Sequence, residues 1–219
     1  MIGQLSKEEI NRKLLHIVAV ALPGIIFYAP KTTYLSKLDA SYIVIFLLFF
    51  SLVIEFARFK FSGFGQFFTR SFGLMLREEE NRQLTGATYI LAGAGICSFL
   101  SLISELATGV CFLCLTLFII GDAAAAIVGK AIGRIKFRKK TLEGGIACFL
   151  TCFLITFFIF PELPYFVSSL GVELSIYQIA IISLTISFLE FFPLKYGAYV
   201  LNDNLYVPAI TSLVAMLLV

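Results

Sequence analysis

The stretch Leu117-Phe-Ile-Ile-Gly-Asp-Ala-Ala-Ala-Ala-Ile-Val-Gly-Lys-Ala-Ile-Gly-Arg134 sets one carboxylate, Asp122, in an otherwise apolar run. Such a run is typical of a membrane helix, where a central carboxylate costs roughly 2.5 to 3.5 kcal/mol on insertion scales. A residue kept at that cost is expected to face protein or water and to have a function. The most basic loop of the chain follows within a few residues, so Asp122 is predicted near the end of the helix that meets this loop.

Composition predicts an all-α integral membrane protein. Of the 219 residues, 59% are hydrophobic and 14% are charged, and the mean hydropathy is +0.95, far from the range of soluble globular proteins. A bilayer core needs about 20 apolar residues, and seven runs approach or reach this length. They cover residues 14–29, 40–57, 84–103, 106–128, 144–166, 176–194 and 205–219. We therefore predict one domain, residues 1–219, with seven spans; six spans, with the last segment in the interface, is the alternative.

The positions of Lys and Arg predict the orientation, because cytoplasmic loops are enriched in both. With a cytoplasmic N-terminus, fifteen fall on the inner side: Lys7, Arg12, Lys13, Arg58, Lys60, Arg70, Arg77, Arg82, Lys130, Arg134, Lys136, Arg138, Lys139, Lys140 and Lys195. Only Lys31 and Lys37 fall outside. The C-terminus is then outside, and a bacterial inner membrane is the expected location. The net charge of +3 reflects topology and does not indicate nucleic-acid binding.

Three further patterns have structural interpretations. All five cysteines lie in apolar runs, and Cys111-x-x-Cys114 has no histidine nearby, so packing is favoured over a metal site. The loop at 58–83 mixes Phe, Leu and Arg, which suits a helix lying in the membrane interface. The four-residue repeat Gly121, Ala125, Gly129, Gly133 favours close helix packing or the approach of a nucleotide or lipid head group to the backbone.

Polar residues cluster at the predicted cytoplasmic ends of the spans: Arg12, Lys13, His16, Glu55, Arg58, Asn81, Arg82, Thr85, Asp122, Lys130, Lys139, Lys140, Thr141, Glu143, Glu190, Asp203 and Asn204. Carboxylates from different helices together with lysines suit phosphoryl transfer, which uses a divalent cation and fixed positive charge. Asp122 and Asp203 are predicted to hold Mg²⁺ or another divalent cation. Lys139, Lys140 and Lys130 are predicted to neutralise phosphates.

Each of these residues also has a simpler interpretation. The basic residues could only set the topology, and Glu55 with Arg58 could form a helical ion pair. Asp122 could cap a half-helix after a break at Gly121, and Asp203 could cap the last span. His16, the single histidine, could be an interfacial residue and not a catalytic base. None of these explains why so many fall on one side of the membrane.

The chain resembles the CTP-dependent lipid kinases, a family that includes dolichol kinase, phytol kinase and the CTP-dependent diacylglycerol kinase. The matching segments, in the family's order, are Arg12-Lys13-Leu-Leu-His16, Glu55-x-x-Arg58, Asn81-Arg82-Gln-Leu-Thr-Gly-Ala-Thr-Tyr89, Gly121-Asp122-Ala-Ala-Ala-Ala-Ile-Val-Gly129-Lys130-x-x-Gly133, Lys139-Lys140-Thr141-Leu-Glu143-Gly144-Gly145, Glu190, and Asp203-Asn204-Leu-Tyr-Val-Pro208. The resemblance implies transfer of the CTP γ-phosphate to a membrane lipid alcohol at the cytoplasmic face.

The resemblance also implies roles for individual residues. Catalytic roles fall on His16, Asp122, Lys140 and Asp203; metal binding on Asp122, Glu190 and Asp203; nucleotide binding on Gly121, Gly129, Lys130, Lys139, Thr141, Glu143, Gly144 and Asn204; and lipid substrate binding on Arg12, Lys13, Glu55, Arg58 and Arg82. The lipid alcohol stays open between phytol or another isoprenoid alcohol, a polyprenol and diacylglycerol, and a homodimer is compatible with the sequence.

Two alternatives remain. Phosphatidate cytidylyltransferases share an Asp followed by small residues and a Lys-Thr-x-Glu-Gly loop, but their last block is expected to read Gly-His-Gly-Gly-x-x-Asp-Arg, whereas this chain has Asp203-Asn204-Leu-Tyr-Val-Pro208. A small transporter would place its polar residues at mid-membrane within paired repeats. No repeat is found here, and the polar residues lie toward one side.

Overall fold

The computed structural model describes residues 16–76, 78–196 and 199–219, which are mostly helical. The helices are α1 (Ala21–Tyr28), α2 (Lys37–Lys60), α3 (Ser62–Phe72), α4 (Gly86–Ser101), α5 (Glu105–Ile132), α6 (Leu142–Phe158), α7 (Phe166–Leu170), α8 (Ile176–Phe191) and α9 (Asp203–Leu218). Within the described residues the strands are β1 (Lys136–Phe137) with β2 (Lys140–Thr141) and β3 (Lys195–Tyr196) with β4 (Tyr199–Val200), each pair an antiparallel hairpin. The expected all-α class is confirmed.

Among the described residues, three helical stretches are long and apolar enough to cross a membrane: Lys37–Lys60, Glu105–Ile132 and Leu142–Glu162. Four apolar segments are shorter: His16–Lys31, Gly86–Ser101, Ile176–Phe191 and Asp203–Leu218. Every apolar run predicted from the sequence therefore contains a helix. Length and composition support a membrane protein, and three of the helices meet both requirements for a span by themselves.

Helix α5 is the centre of the bundle. It packs against α1, α4, α6, α7, α8 and α9, and its residues from Ala107 to Ile119 are buried. A helix that is apolar on all sides is stable only where neighbours or lipid cover every face. The length and hydrophobicity of α5 therefore account for its central position, and the surrounding helices bring their own polar ends to it.

Helix α5 begins at the N-cap Ser104 and runs unbroken through Gly121. The interpretation of Asp122 as the cap of a separate half-helix is thus wrong, because its neighbours on both sides are in one continuous helix. The corresponding interpretation of Asp203 is also wrong. The N-cap of α9 is Asn202, whose side chain accepts a hydrogen bond from the Asn204 N–H at 3.1 Å.

The small residues of α5 are covered by α6. A Cβ atom at Gly121 would lie 2.8 Å from Cys152 Sγ, and one at Gly129 would lie 2.6 Å from Thr141 Oγ1. Gly144 of α6 complements them, since its Cβ would lie 2.6 Å from the Ala125 carbonyl oxygen. The packing interpretation of the repeat is confirmed, and this face of α5 leaves no room for a head group at Gly121 or Gly129.

Helix α3 confirms the helix expected in the 58–83 loop. It follows α2 after a bend at Phe61, and none of its residues is buried. Phe64, Phe67 and Phe72 are exposed on it, together with Arg70. This composition matches the amphipathic pattern of helices that lie at a lipid surface.

Candidate active site

Three carboxylates from three helices meet at one point of the bundle. Asp122 is on the central helix α5, Glu190 is in the last turn of α8, and Asp203 is in the first turn of α9. One oxygen of each lies within 4.8 Å of the others. Glu190 is almost fully buried, with 4% of its side chain exposed, against 13% for Asp122 and 21% for Asp203.

A tyrosine that the sequence analysis did not select links two of these helices. The Tyr206 hydroxyl, on α9, donates to the Leu189 carbonyl oxygen at 3.0 Å and accepts from the Leu194 N–H at 3.3 Å. Leu189 precedes Glu190, and Tyr206 lies three residues after Asp203, on the same face of α9. These bonds hold the end of α8 beside the start of α9 and so keep Glu190 close to Asp203.

Lys140 contributes positive charge to the cluster. Its Nζ lies 2.5 Å from Glu190 Oε1 and 2.9 Å from Asp203 Oδ2. Burial by itself lowers the pKa of Lys140, but Asp203, Glu190 and Asp122 outweigh this effect and raise the pKa above its ordinary value. Lys140 is therefore protonated at neutral pH, and the residue predicted to bind phosphate contacts carboxylates in this structure.

His16 lies on the other side of Asp122. Its Nε2 is 3.3 Å from Asp122 Oδ2, and both side chains are 13% exposed. The His16 ring meets the Phe118 ring edge-on, with 6.3 Å between centroids. The single histidine is thus held against the carboxylate cluster. Arg12 and Lys13, predicted to act with it, lie outside the described residues.

Glu55 and Arg58 form the helical ion pair that the sequence allowed, 2.5 Å apart and almost fully buried. Arg58 donates to the carbonyl oxygens of Glu80 and Gln83, each at 2.7 Å. Glu55 accepts from the Thr85 N–H at 2.8 Å and from the Thr88 hydroxyl at 3.1 Å. The pair therefore holds the loop before α4 in place, and its contacts within the protein give it a structural role.

The same loop reaches Asn204, next to Asp203. Glu80 Oε1 accepts the Gly86 N–H at 3.0 Å, and the Asn204 amide donates to the Gly86 carbonyl oxygen at 3.1 Å. Asn204 is buried by these contacts. The loop before α4 thus connects Glu55 and Arg58 to the start of α9. Arg82, predicted to bind substrate, is exposed at the surface.

The Lys139–Gly144 segment leads from the β1–β2 hairpin into the first turn of α6. Thr141 is its N-cap and accepts from the Gly144 N–H at 3.2 Å, and Glu143 Oε1 accepts the N–H groups of Arg134 and Ile135 at 2.8 and 3.2 Å. These contacts close the β1–β2 hairpin over the end of α5. Lys130 and Lys139 are exposed near it. The hairpin turn places Arg138 at a φ of 56°, a left-handed conformation that non-glycine residues adopt at a cost of about 1 kcal/mol or more.

The cluster has the composition of a divalent-cation site. Carboxylate oxygens are the donors that Mg²⁺ and similar hard cations prefer. Asp122, Glu190 and Asp203 bring their oxygens together beside the Lys140 ammonium. Oxygens this close could serve together as ligands of one divalent cation. Within the described residues, Cys111 and Cys114 belong to no such group.

Comparison with known proteins identifies one similar protein and no family. The chain is 26% identical over 204 residues to a Rickettsia prowazekii (strain Madrid E) protein described as uncharacterized protein RP860, and the match covers 91% of this chain and 89% of that protein. No protein-family model matches the chain, and no solved structure matches it.

Proposed function

We propose that the protein is a CTP-dependent lipid kinase, which transfers the γ-phosphate of CTP to the hydroxyl of a membrane lipid. The observation that carries this proposal is the convergence of Asp122, Glu190 and Asp203 on Lys140 and His16. Phosphoryl transfer needs fixed charge around the phosphates and a group that accepts the proton of the attacking hydroxyl. The resemblance of the ordered sequence segments supplies CTP as the donor and a lipid alcohol as the acceptor.

We place the active site at the cytoplasmic face of a seven-span bundle. The seven apolar segments and the fifteen-to-two distribution of basic residues support this topology. Glu190 is at the end of α8, Asp203 is at the start of α9, and Lys140 directly precedes α6. All three therefore lie at the same end of the bundle as the basic β1–β2 hairpin, which on this topology meets the cytoplasm.

The residues then have separate tasks. Asp122, Glu190 and Asp203 would hold a divalent cation, which supplies positive charge against the phosphates. Lys140, with Lys130 and Lys139 near it, offsets the negative charge that develops on the transferred group. His16, held against Asp122, accepts the proton of the lipid hydroxyl, and Asp122 stabilises the imidazolium that forms. The lipid oxygen forms the new bond to the γ-phosphorus, the bond from that phosphorus to the bridging oxygen breaks, and CDP leaves.

The proposal is tested by the fate of two labels. Membranes containing the protein are incubated with a lipid alcohol and with CTP labelled at the α or the γ phosphorus. We expect only the γ label in the organic phase, with CDP as the second product. Membranes containing the Asp203→Asn variant provide the background.

Recovery of the α label in lipid, with release of pyrophosphate, would replace the kinase by a cytidylyltransferase, in which a lipid phosphate attacks the α-phosphorus. A panel of alcohols, with phytol, a polyprenol and diacylglycerol as the first three, then identifies the acceptor class. A parallel panel of nucleoside triphosphates tests the preference for CTP.

A further inference from the structure

An apolar groove of about 340 Å³ runs between α6 and α8 on the outside of the bundle. Ile146 and Phe149 line it from α6, and Leu184 and Phe188 line it from α8. Ile146, Leu184 and Phe188 are each about half exposed, at 51%, 58% and 56%. The volume lies at the lower end of the range of small-ligand sites, about 300 to 1,000 Å³, and it fits part of a hydrocarbon chain.

The floor of the groove presents no free polar group. Its hydroxyl, on Ser187, donates to the Gly145 carbonyl oxygen at 2.7 Å. Gly145 lets the two helices approach, since a Cβ atom there would lie 3.3 Å from the Phe191 ring. A site with satisfied polar atoms and an apolar wall favours an apolar ligand over a polar one.

One end of the groove adjoins the candidate active site. Phe191, which lines the groove, directly follows Glu190, and Leu142, which also lines it, lies two residues after Lys140. Phe137 of β1 covers this end, with ring centroids 5.5 Å from Phe191 and 5.2 Å from Phe192. An occupant of the groove thus has one end at the level of the Lys140–Glu190 ion pair.

The same end carries positive charge. The Arg138 guanidinium lies over the Phe137 ring, 5.4 Å from its centroid, and Lys136 and Lys139 are exposed on the same hairpin. An apolar groove with cations at one end is complementary to an amphiphile that has a hydrocarbon chain and an anionic head. A lipid phosphate has both properties, and its alcohol precursor has the same chain.

We propose that this groove binds the hydrocarbon chain of the lipid alcohol and of its phosphorylated product, with the head group at the hairpin end beside Lys140. This inference rests on the proposed kinase function. It assigns α6 and α8 as the elements that select the lipid, and it orients the hydroxyl toward the cluster that carries the chemistry.

The chain contains no tryptophan, so a single substitution creates a fluorescent reporter without background. Phe149→Trp places the reporter in the groove. Phe50→Trp, at an exposed position of α2 outside the lining, is the control. Both proteins, in phosphatidylcholine vesicles, are titrated with a long-chain alcohol brominated on its chain. We expect saturable quenching of Phe149→Trp that the unbrominated alcohol reverses, and only weak, non-saturating quenching of Phe50→Trp.

Equal quenching of both reporters, or equal quenching by brominated phosphatidylcholine, would show that bulk lipid fills the groove and would overturn the inference. A second comparison uses Ile146→Phe, which fills the groove, and Leu150→Phe, at an equally exposed position of α6 outside it. We expect the KM for the lipid alcohol to rise about tenfold in the first variant only, the effect of a methylene-scale misfit in an apolar pocket, with the KM for CTP unchanged.

The two experiments separate the groove from the kinase. Quenching needs no phosphoryl transfer. Saturable quenching without γ-label transfer would therefore support the groove as a lipid site and contradict the kinase assignment. Transfer of the γ label without saturable quenching would support the kinase assignment and contradict the groove as the lipid site.

Discussion

Lys140 and Glu190 form an ion pair across fifty residues of sequence, with Nζ 2.5 Å from Oε1. The same ammonium contacts Asp203. A divalent cation bound by these carboxylates would compete with Lys140 for their oxygens. Binding of the cation would therefore release some of the contacts of Lys140, and the ammonium could then turn to the phosphates of the proposed substrate. The phosphate role of Lys140 stays a prediction that its position among carboxylates allows.

Lys140→Met is expected to destabilise the protein, because Glu190 and Asp203 then lose their ion-pair partner. A broken buried pair costs about 3 to 5 kcal/mol; since 24% of the Lys140 side chain is exposed, we expect roughly 1 to 3 kcal/mol after allowance for solvent screening. Thermal unfolding with and without Mg²⁺ measures this loss. Mg²⁺ should stabilise the variant more than the parent. Lys136→Met, an exposed hairpin residue, is the control, and an equal Mg²⁺ effect in parent and variant would contradict the metal assignment.

The contribution of Lys140 should also depend on pH with a defined sign. Its pKa is raised above 10.5 in the folded protein, so its stabilising effect is complete below the unfolded value and is lost as the pH rises through the folded value. The stability difference between parent and Lys140→Met should therefore not decrease between about pH 7 and 9, and it should decrease only at more alkaline pH. Chemical or thermal unfolding over this range measures it. A decrease already near neutrality would show that Lys140 is not the cation of the cluster.

Asp122→Asn and Asp203→Asn should each remove nearly all turnover while the protein still inserts and purifies. Each change removes a carboxylate from the cation site and leaves phosphate charge uncompensated. Initial rates with γ-labelled CTP, together with Mn²⁺ binding followed by electron paramagnetic resonance, measure both effects. Glu173→Gln, in an exposed loop, should retain the activity of the parent. Turnover within a few-fold of the parent in either Asn variant would show that the carboxylate serves structure alone.

His16→Ala should lower kcat and leave the KM for CTP near its original value, since in the proposed reaction the imidazole acts on the lipid hydroxyl. Loss of a general base typically costs about 10² to 10⁴ in rate. Single-turnover measurements separate the chemical step from product release. An unchanged rate would make His16 an interfacial residue whose contact with Asp122 has no catalytic part.

Arg58→Leu should be strongly destabilising, by about 3 to 5 kcal/mol, because it leaves the Glu55 carboxylate buried without its partner. The double variant Glu55→Leu/Arg58→Leu should lose less than the sum of the single changes. Unfolding free energies of the four proteins form the double-mutant cycle. Additive losses would mean that the pair is not coupled. If a variant changed the KM for the lipid without changing the free energy of unfolding, these residues would have a role in substrate binding.

Gly144→Ala should destabilise the contact between α5 and α6 by roughly 1 to 3 kcal/mol, as overpacking does, since the new Cβ would lie 2.6 Å from a backbone oxygen of Ala125. Gly24→Ala, with open space around it, is the matched control and should be neutral or slightly stabilising. Comparison of their thermal unfolding temperatures gives the result. Equal stability of the two variants would show that this helix pair is looser than described.

The helices could be predicted from the sequence because their signals are local. The apolar run at 84–103 contains α4, Gly86–Ser101, and the run at 106–128 contains most of α5. Serine and threonine at positions such as Ser104 and Thr141 mark helix starts by capping. Local hydrophobicity also separated the apolar segments, but it does not tell which helix occupies the centre. That depends on packing among all of them.

The site was less accessible to sequence reasoning. Asp122, Glu190 and Asp203 could be selected, yet their approach within 4.8 Å depends on helices far apart in sequence. The ion pairs of Lys140 with Glu190 and Asp203 were not predicted, because these residues are also far apart in sequence. Tyr206 was missed, although its spacing of three residues from Asp203 places both on one helix face. Glu55 and Arg58 were assigned to substrate, whereas their hydrogen bonds, visible only in three dimensions, tie down the loop before α4.

The unbroken helix α5 sets the depth of Asp122, and with it the depth of the proposed reaction. Its 28 residues span about 42 Å, more than the bilayer core of about 30 Å, and Asp122 lies about 25 Å along it. In the proposed topology this depth belongs to the inner leaflet, just below the head groups. The hydroxyl of a resident lipid can then be phosphorylated without extraction of its chain into water. Supply of the acceptor becomes a two-dimensional process, in which turnover follows the mole fraction of the alcohol in the membrane and not its concentration in the bulk solution.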